Sequence, residues 1–141
     1  MYGALDISTS GMIAARTRME VSAANIANAD AVVNERGDYD PYRRRFALLA
    51  AGDGHGGLGV RVAEIGADDG PFRKVYDPGH PFAARTTDPA ADQVEGYVNF
   101  PNVNPTVEMV NAIEASRAYE ANVAAAEASK SMFDAALQLI A

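Results

Sequence analysis

Apolar residues recur at every seventh position near both ends of the chain, while the stretch between them changes to short alternating runs broken by Gly and Pro. Leu5, Met12, Met19 and Ile26 form one row, with the small residues Ala15 and Ser22 at the intervening positions. Near the C-terminus one row runs Met109, Ser116, Val123, Lys130, Leu137 and a second Ala112, Tyr119, Ala126, Phe133, Ile140. Rows sustained over about four heptads are the pattern of helix packed on helix. Two of them in one chain predict that the terminal helices pair with each other.

The first helix is expected over residues 3–28, a proline-free stretch rich in alanine, the best helix former. The second should open at Asn104 as N-cap, with Pro105 at the first helical position and Glu108 in the first turn, facing the positive end of the dipole. Between them, residues 43–50, 60–65, 72–76 and 96–100 read as strands, and eight of the eleven aromatic residues fall between Tyr39 and Phe100. Residues 32–41 and 83–95 read as loops, the former exposed and mobile, and Asp77-Pro78-Gly79-His80-Pro81 as a turn that reverses the chain. The expected fold is α+β: long N- and C-terminal helices paired as a coiled-coil-like core (1–31 and 104–141), with a small β-rich outer domain (32–103).

Length bears on shape. A compact domain of 141 residues has a radius of gyration of roughly 14 Å, whereas a helix over 105–140 spans about 54 Å. The molecule is therefore expected to be elongated, and a long helical pair needs other copies or other proteins to cover its remaining apolar surface. That favours a subunit of an assembly. A net charge of −7 argues against nucleic acid as partner, since phosphate binding needs a basic surface. The basic triplet Arg43-Arg44-Arg45 reads first as a solvated strand edge and second as a partner contact. There is no cysteine, which fits an extracytoplasmic setting without establishing one. Asp6, Ser8, Thr9, Ser10 and Arg16 interrupt the first stretch, so no conventional signal peptide is expected, and no apolar run is long enough to span a membrane.

Catalytic and ligand-binding constellations are not visible. Gly52/Gly54/Gly57 and Gly54/Gly56/Gly59 formally match a dinucleotide fingerprint, but the following Val60-Arg61-Val62-Ala63-Glu64-Ile65 alternates as a strand and supplies no helix N-terminus for a phosphate. A hairpin loop is the better reading. His55 and His80 have no second ligand at metal-binding spacing, and no serine sits in a strand-to-helix elbow. No cofactor or metal is expected. The polar residues along the helices, Asn25, Asn28, Arg117, Asn122 and Lys130, read either as a solvated face or as register marks at a helix interface, where a polar group costs stability but fixes alignment.

Three stretches resemble the bacterial flagellar axial proteins, and among them the short proximal-rod subunits of the basal body. They are Ala24-Asn25-Ile26-Ala27-Asn28-Ala29; Val75-Tyr76-Asp77-Pro78-Gly79-His80-Pro81 with Gly96-Tyr97-Val98; and Pro101-Asn102-Val103-Asn104 leading into Glu108-Met109-Val110-Asn111 and 115–123, with Lys130-Ser131-Met132 beyond. The resemblance implies a non-enzymatic subunit exported unfolded by the flagellar type III apparatus. Its terminal helices would line a tubular drive shaft built with copies of itself and other rod proteins, in the periplasmic part of the basal body. By position, Asn25, Ile26 and Asn28 would hold the turn after the first helix, and Ser116, Arg117, Tyr119 and Asn122 would set packing between helices and between subunits. Met109, Val123, Phe133 and Leu137 join them as interface residues through the heptad rows. Two departures stand out: Ala29-Asp30 replaces the Thr that commonly follows Asn28, and 83–95 is longer than usual. The rival expectation is a cytosolic helical-hairpin adaptor or chaperone of an export system.

Overall fold

The computed structural model describes residues 3–52, 57–89 and 92–140. In chain order it contains α1 (Gly3–Ala27), β1 (Arg45–Ala51), β2 (Val60–Ala67), β3 (Arg73–Tyr76), β4 (Tyr97–Phe100) and α2 (Pro105–Ile140). The class is α+β, with two long terminal helices around a small antiparallel strand region, as the heptad rows and turn residues predict. At 36 residues α2 is about 54 Å long.

Both helices end where their local chemistry dictates. Asn104 caps α2 through Oδ1, which accepts from the amides of Thr106 at 3.0 Å and Val107 at 3.4 Å, and Pro105 follows at the position that needs no donor. At the other terminus, Asn28 donates twice to the Ala24 carbonyl, from its main-chain amide at 3.1 Å and from its side-chain Nδ2 at 2.8 Å, and so ties down the last turn of α1.

The helices run antiparallel, and small residues form their contact. Ser8, Ala15, Ser22 and Ala29 are buried at heptad spacing in and just beyond α1. Opposite them, α2 offers Glu108 and Ala115, both buried, then Asn122 and Ser129, half-buried. Gly11 and Asn122 mark a close approach: a Cβ on Gly11 would lie 2.5 Å from Asn122 Oδ1. This row is one residue, about 100° of helix rotation, away from the Met109, Ser116, Val123, Lys130, Leu137 row that sequence periodicity selects. Packing density explains the offset. Two long helices approach most closely through Ala, Ser and Gly, so the bulkier apolar residues are turned to the flanks.

β1 and β2 form an antiparallel hairpin with an irregularity between Leu48 and Leu49 that leaves Ala63 unpaired. It lies along α1: at its base the Arg45 main chain meets Asn25, and at its tip the Val60 amide donates to Ser10 Oγ at 3.1 Å. Gly59, at φ +120°, brings the backbone against Ser10 where any side chain would collide. The strand that follows the glycine cluster accords with the hairpin-loop reading, although residues 53–56, including His55, lie outside the described residues.

β3 and β4 make a second antiparallel pair around Val98, which is fully buried. Residues 32–41 are tied to it, in contrast to the mobile loop expected from their polarity. Asn34 Oδ1 accepts from the amides of Arg36 and Asp38, both at 3.0 Å, and closes a turn. Tyr39 stacks on Phe82 with centroids 5.2 Å apart. The 77–81 turn forms as expected, with His80 N donating to the Asp77 carbonyl at 3.2 Å and the His80 ring packed against Phe82 and Phe100.

Candidate functional site

Four segments distant in sequence converge on one buried carboxylate. Glu108, in the first turn of α2, is 1% exposed. Its Oε2 accepts from Asn25 Nδ2 at 2.9 Å, and its Oε1 from Arg44 Nε at 2.8 Å and Asn111 Nδ2 at 3.4 Å. Asn25, with no exposed surface, uses its whole amide: Nδ2 also donates to the Arg45 carbonyl at 2.8 Å, while Oδ1 accepts from the Arg45 amide at 2.9 Å and the Tyr42 hydroxyl at 3.0 Å. The Asn25 side chain thus occupies the place of a neighbouring strand beside Arg45. Asn102 Oδ1 accepts from the Arg44 amide at 2.8 Å, and its Nδ2 donates to the Asp68 carbonyl at 3.2 Å. Helix α1, the base of the hairpin, the corner after β2 and the entry to α2 are thereby bolted together.

Burial by itself would raise the Glu108 pKa. The hydrogen bonds from Asn25 and Arg44, the Arg44 charge and a hydrogen bond from Ser22 outweigh it, and the carboxyl is held below its ordinary value. Burial raises the Tyr42 hydroxyl, with Arg45 opposing and Glu108 adding to the shift. An ion pair buried with all its partners satisfied contributes uniqueness of arrangement more than net stability. The chemistry is structural: a fixed charge held between fixed donors. Among the described residues no three His, Asp or Glu side chains gather to hold a metal.

The residues that the heptad rows and the family resemblance mark as interface positions divide into three groups. Leu5, Met12, Met19 and Ile26 are half-buried along the flank of the α1 contact, and Asn122, Val123 and Phe133 are half-buried on α2. Asn25 belongs to the hub and Asn28 to the helix end. Met109, Arg117, Tyr119 and Leu137 face outward, with Met109 54% and Leu137 65% exposed, and Ser116 turns its hydroxyl to Glu120 at 3.4 Å.

Sequence reasoning missed the other members of the hub. Glu108 looked like an ordinary dipole partner, and Arg43-Arg44-Arg45 like a solvated edge. Instead Arg44 pairs with Glu108, Arg43 lies 4.3 Å over the Phe72 ring, and Arg45 lies 5.7 Å over the Tyr42 ring. Nothing in the local sequence marks these roles, because each depends on a partner far along the chain.

Two family models match the chain. "Flagella basal body rod protein" covers residues 5–34, and "Flagellar basal body rod FlgEFG protein C-terminal" covers residues 94–139. The flagellar basal-body rod protein FlgC of Bacillus subtilis is 38% identical, over 98% of this chain and 97% of its own length. The chain belongs to the flagellar basal-body rod protein family. The FlgC of Yersinia enterocolitica is 43% identical over 90% of this chain and 88% of its own length, and that of Salmonella typhimurium 38% identical over the same shares. In this rod-family chain the two matched segments hold the two helices and carry Asn25 and Glu108 respectively. Arg44 and the hairpin lie between them.

Proposed function

We propose that the chain is a structural, non-catalytic subunit of the flagellar basal-body rod, and within it of the proximal rod. The observation that carries this is its similarity over nearly its full length to proteins named as rod protein FlgC. The architecture supports it. Helix α2, about 54 Å long, outruns the 25-residue α1 and leaves Met109, Ile113, Met132 and Leu137 more than half exposed, a surface that neighbouring subunits would cover. In this reading 1–31 and 104–141 form the core of a tube and 32–103 its outer part, with other rod proteins and further copies of the chain as neighbours. The chain reaches its place through the flagellar type III export apparatus. Torque passes through interlocked helices, and the Asn25–Glu108–Arg44 hub keeps helices and outer part from turning independently. The relatives named above are rod proteins, and no observation favours the adaptor alternative.

The test is direct. A strain lacking the chain should be non-motile and build no rod beyond the membrane ring, and an epitope-marked chain should restore motility and co-purify with basal bodies. Motile cells whose purified basal bodies lack the marked chain would refute the reading.

A further inference from the structure

The chain closes some strand edges with its own atoms and leaves others open. Antiparallel pairing turns the main chain of alternate residues outward. On β4 these are Tyr97 and Asn99, and both are capped: Tyr97 donates to Val94 O and accepts from Ala84 N, each at 3.0 Å, and Asn99 exchanges two bonds with the Tyr39 hydroxyl, at 2.8 and 3.1 Å. On β1 the two ends of the outward edge are closed, by Asn25 at Arg45 and by Arg61 at the Ala51 carbonyl, 3.3 Å away, and only the short middle at Ala47 and Leu49, flanked by these caps, is left uncapped. On β3 the outward residues are Lys74 and Tyr76, and no hydrogen bond among the described residues reaches their outward main chain; all four β3 residues are exposed. On β2 the Val60 amide is capped by Ser10, whereas Ile65 and Ala67, on the far side of the irregularity at Ala63, are equally open and exposed.

β2 and β3 are consecutive strands, and a short connection normally lets such strands pair. Here they lie in separate two-stranded sheets. The corner between them is pinned: Asn102 Nδ2 donates to the Asp68 carbonyl, Arg43 Nη1 reaches the carbonyls of Asp68 and Gly70 at 3.4 Å, and Arg44 pairs with Asp68. Each open edge therefore presents two outward residues, at i and i+2, that their own chain does not join. Two-stranded sheets are marginal alone, and the hairpin has no buried residue in either strand although its sequence is largely apolar.

We propose, building on the rod reading above, that the β2 edge of one copy pairs antiparallel with the β3 edge of a second copy, Ile65 opposite Tyr76 and Ala67 opposite Lys74. The two hairpins then become one four-stranded sheet across the subunit boundary. The contact joins different surfaces of the two copies, so it repeats head to tail and propagates along a helical assembly. An isoleucine facing a tyrosine is a favourable cross-strand pair. The charges that would repel a stray strand from β3 are already engaged, Arg73 by Asp30 and Lys74 by Asp92.

The chain has no cysteine, which makes the test clean. Basal bodies carrying the Ile65→Cys, Tyr76→Cys double variant, once oxidised, should give disulfide-linked dimers and a higher ladder for most of the chain on a non-reducing gel. Either single variant, or Leu48→Cys with Tyr76→Cys, should stay monomeric. A doubly substituted chain that is present in basal bodies yet stays monomeric overturns the pairing and leaves the rod reading intact; absence of the unsubstituted chain from basal bodies overturns the rod reading itself. Hydrogen exchange on the unsubstituted chain gives a second readout. The amides of Ile65, Ala67, Lys74 and Tyr76 should exchange freely in the dilute monomer and at least tenfold more slowly in rods, and equal exchange in both would overturn the proposal.

Discussion

Asn25 Nδ2 and Glu108 Oε2 meet at 2.9 Å where the end of α1 crosses the start of α2, both side chains almost wholly buried. Among the described residues no other contact ties the two terminal segments and the hairpin base through so few atoms. Replacing Asn25 with Ala strips one donor from Glu108 and leaves the Arg45 main chain and the Tyr42 hydroxyl without their partner. Each buried group left unpaired costs about 1–3 kcal/mol, so a loss of about 3–5 kcal/mol is expected in urea denaturation of the monomer. Asn25→Asp should be worse at neutral pH, because it sets a second carboxylate against Glu108. A loss below about 1 kcal/mol for Asn25→Ala would show that the hub is not a stability determinant.

The depressed Glu108 pKa fixes the sign of a pH effect. A carboxyl whose folded pKa lies below its unfolded one contributes stability above the unfolded value, and the contribution fades as pH falls through the folded value. Wild-type stability should therefore be flat through neutral pH and fall in the acid range below the usual carboxylate value. Glu108→Gln keeps the shape without the titration. It should be less stable at neutral pH and show a shallower acid decline, measured as urea midpoints across pH. Parallel decline of the two proteins would place the acid sensitivity elsewhere.

Features carried by local chemistry were legible in the sequence. The Asn104-Pro105 cap, the 77–81 turn and the four strands depend on residues near one another, and each forms within a few residues of its expected place. The phase of α2 was less legible, because heptad periodicity follows apolar size whereas close helix packing rewards smallness. Gly11 carries no hydrophobic signal at all, although it fixes where Asn122 can sit. The hub was least legible: Asn25, Arg44 and the Asn102-to-Glu108 stretch lie on three segments far apart in sequence, and nothing in the local sequence of any one of them names the others.

The exposed row on α2 separates folding from assembly. Leu137 is 65% exposed, so Leu137→Asp should change monomer stability by no more than about 0.5 kcal/mol. In rods the same side chain is expected to be covered, where a carboxylate would be desolvated without a partner. The variant should fold normally by circular dichroism yet fail to restore motility. Full motility with Leu137→Asp would mean that this face of α2 stays in solvent.

The final prediction concerns register. A contact built from Ser8, Ala15 and Ser22 against Ala115, Asn122 and Ser129 nearly repeats itself every heptad, so small residues by themselves would permit the helices to slip by two turns. Two contacts forbid it. Asn25 faces Glu108, and Gly11 faces Asn122, two full heptads away on both helices. In a slipped pair Asn122 would face Ala4 or Arg18 instead. Gly11→Ala improves helix propensity by about 1 kcal/mol, but it places a Cβ 2.5 Å from Asn122 Oδ1, whose side chain is held by its Nδ2 bond to Ala118 O at 2.7 Å. Overpacking of this kind costs about 1–3 kcal/mol, so the single variant should be destabilised despite the better helix former. Gly11→Ala combined with Asn122→Ala removes the clash and should recover the propensity gain, giving a coupling of about 1 kcal/mol or more in a double-mutant cycle. Additive effects would mean that the two helices do not meet at these residues, and that the register is set by Asn25 and Glu108 alone.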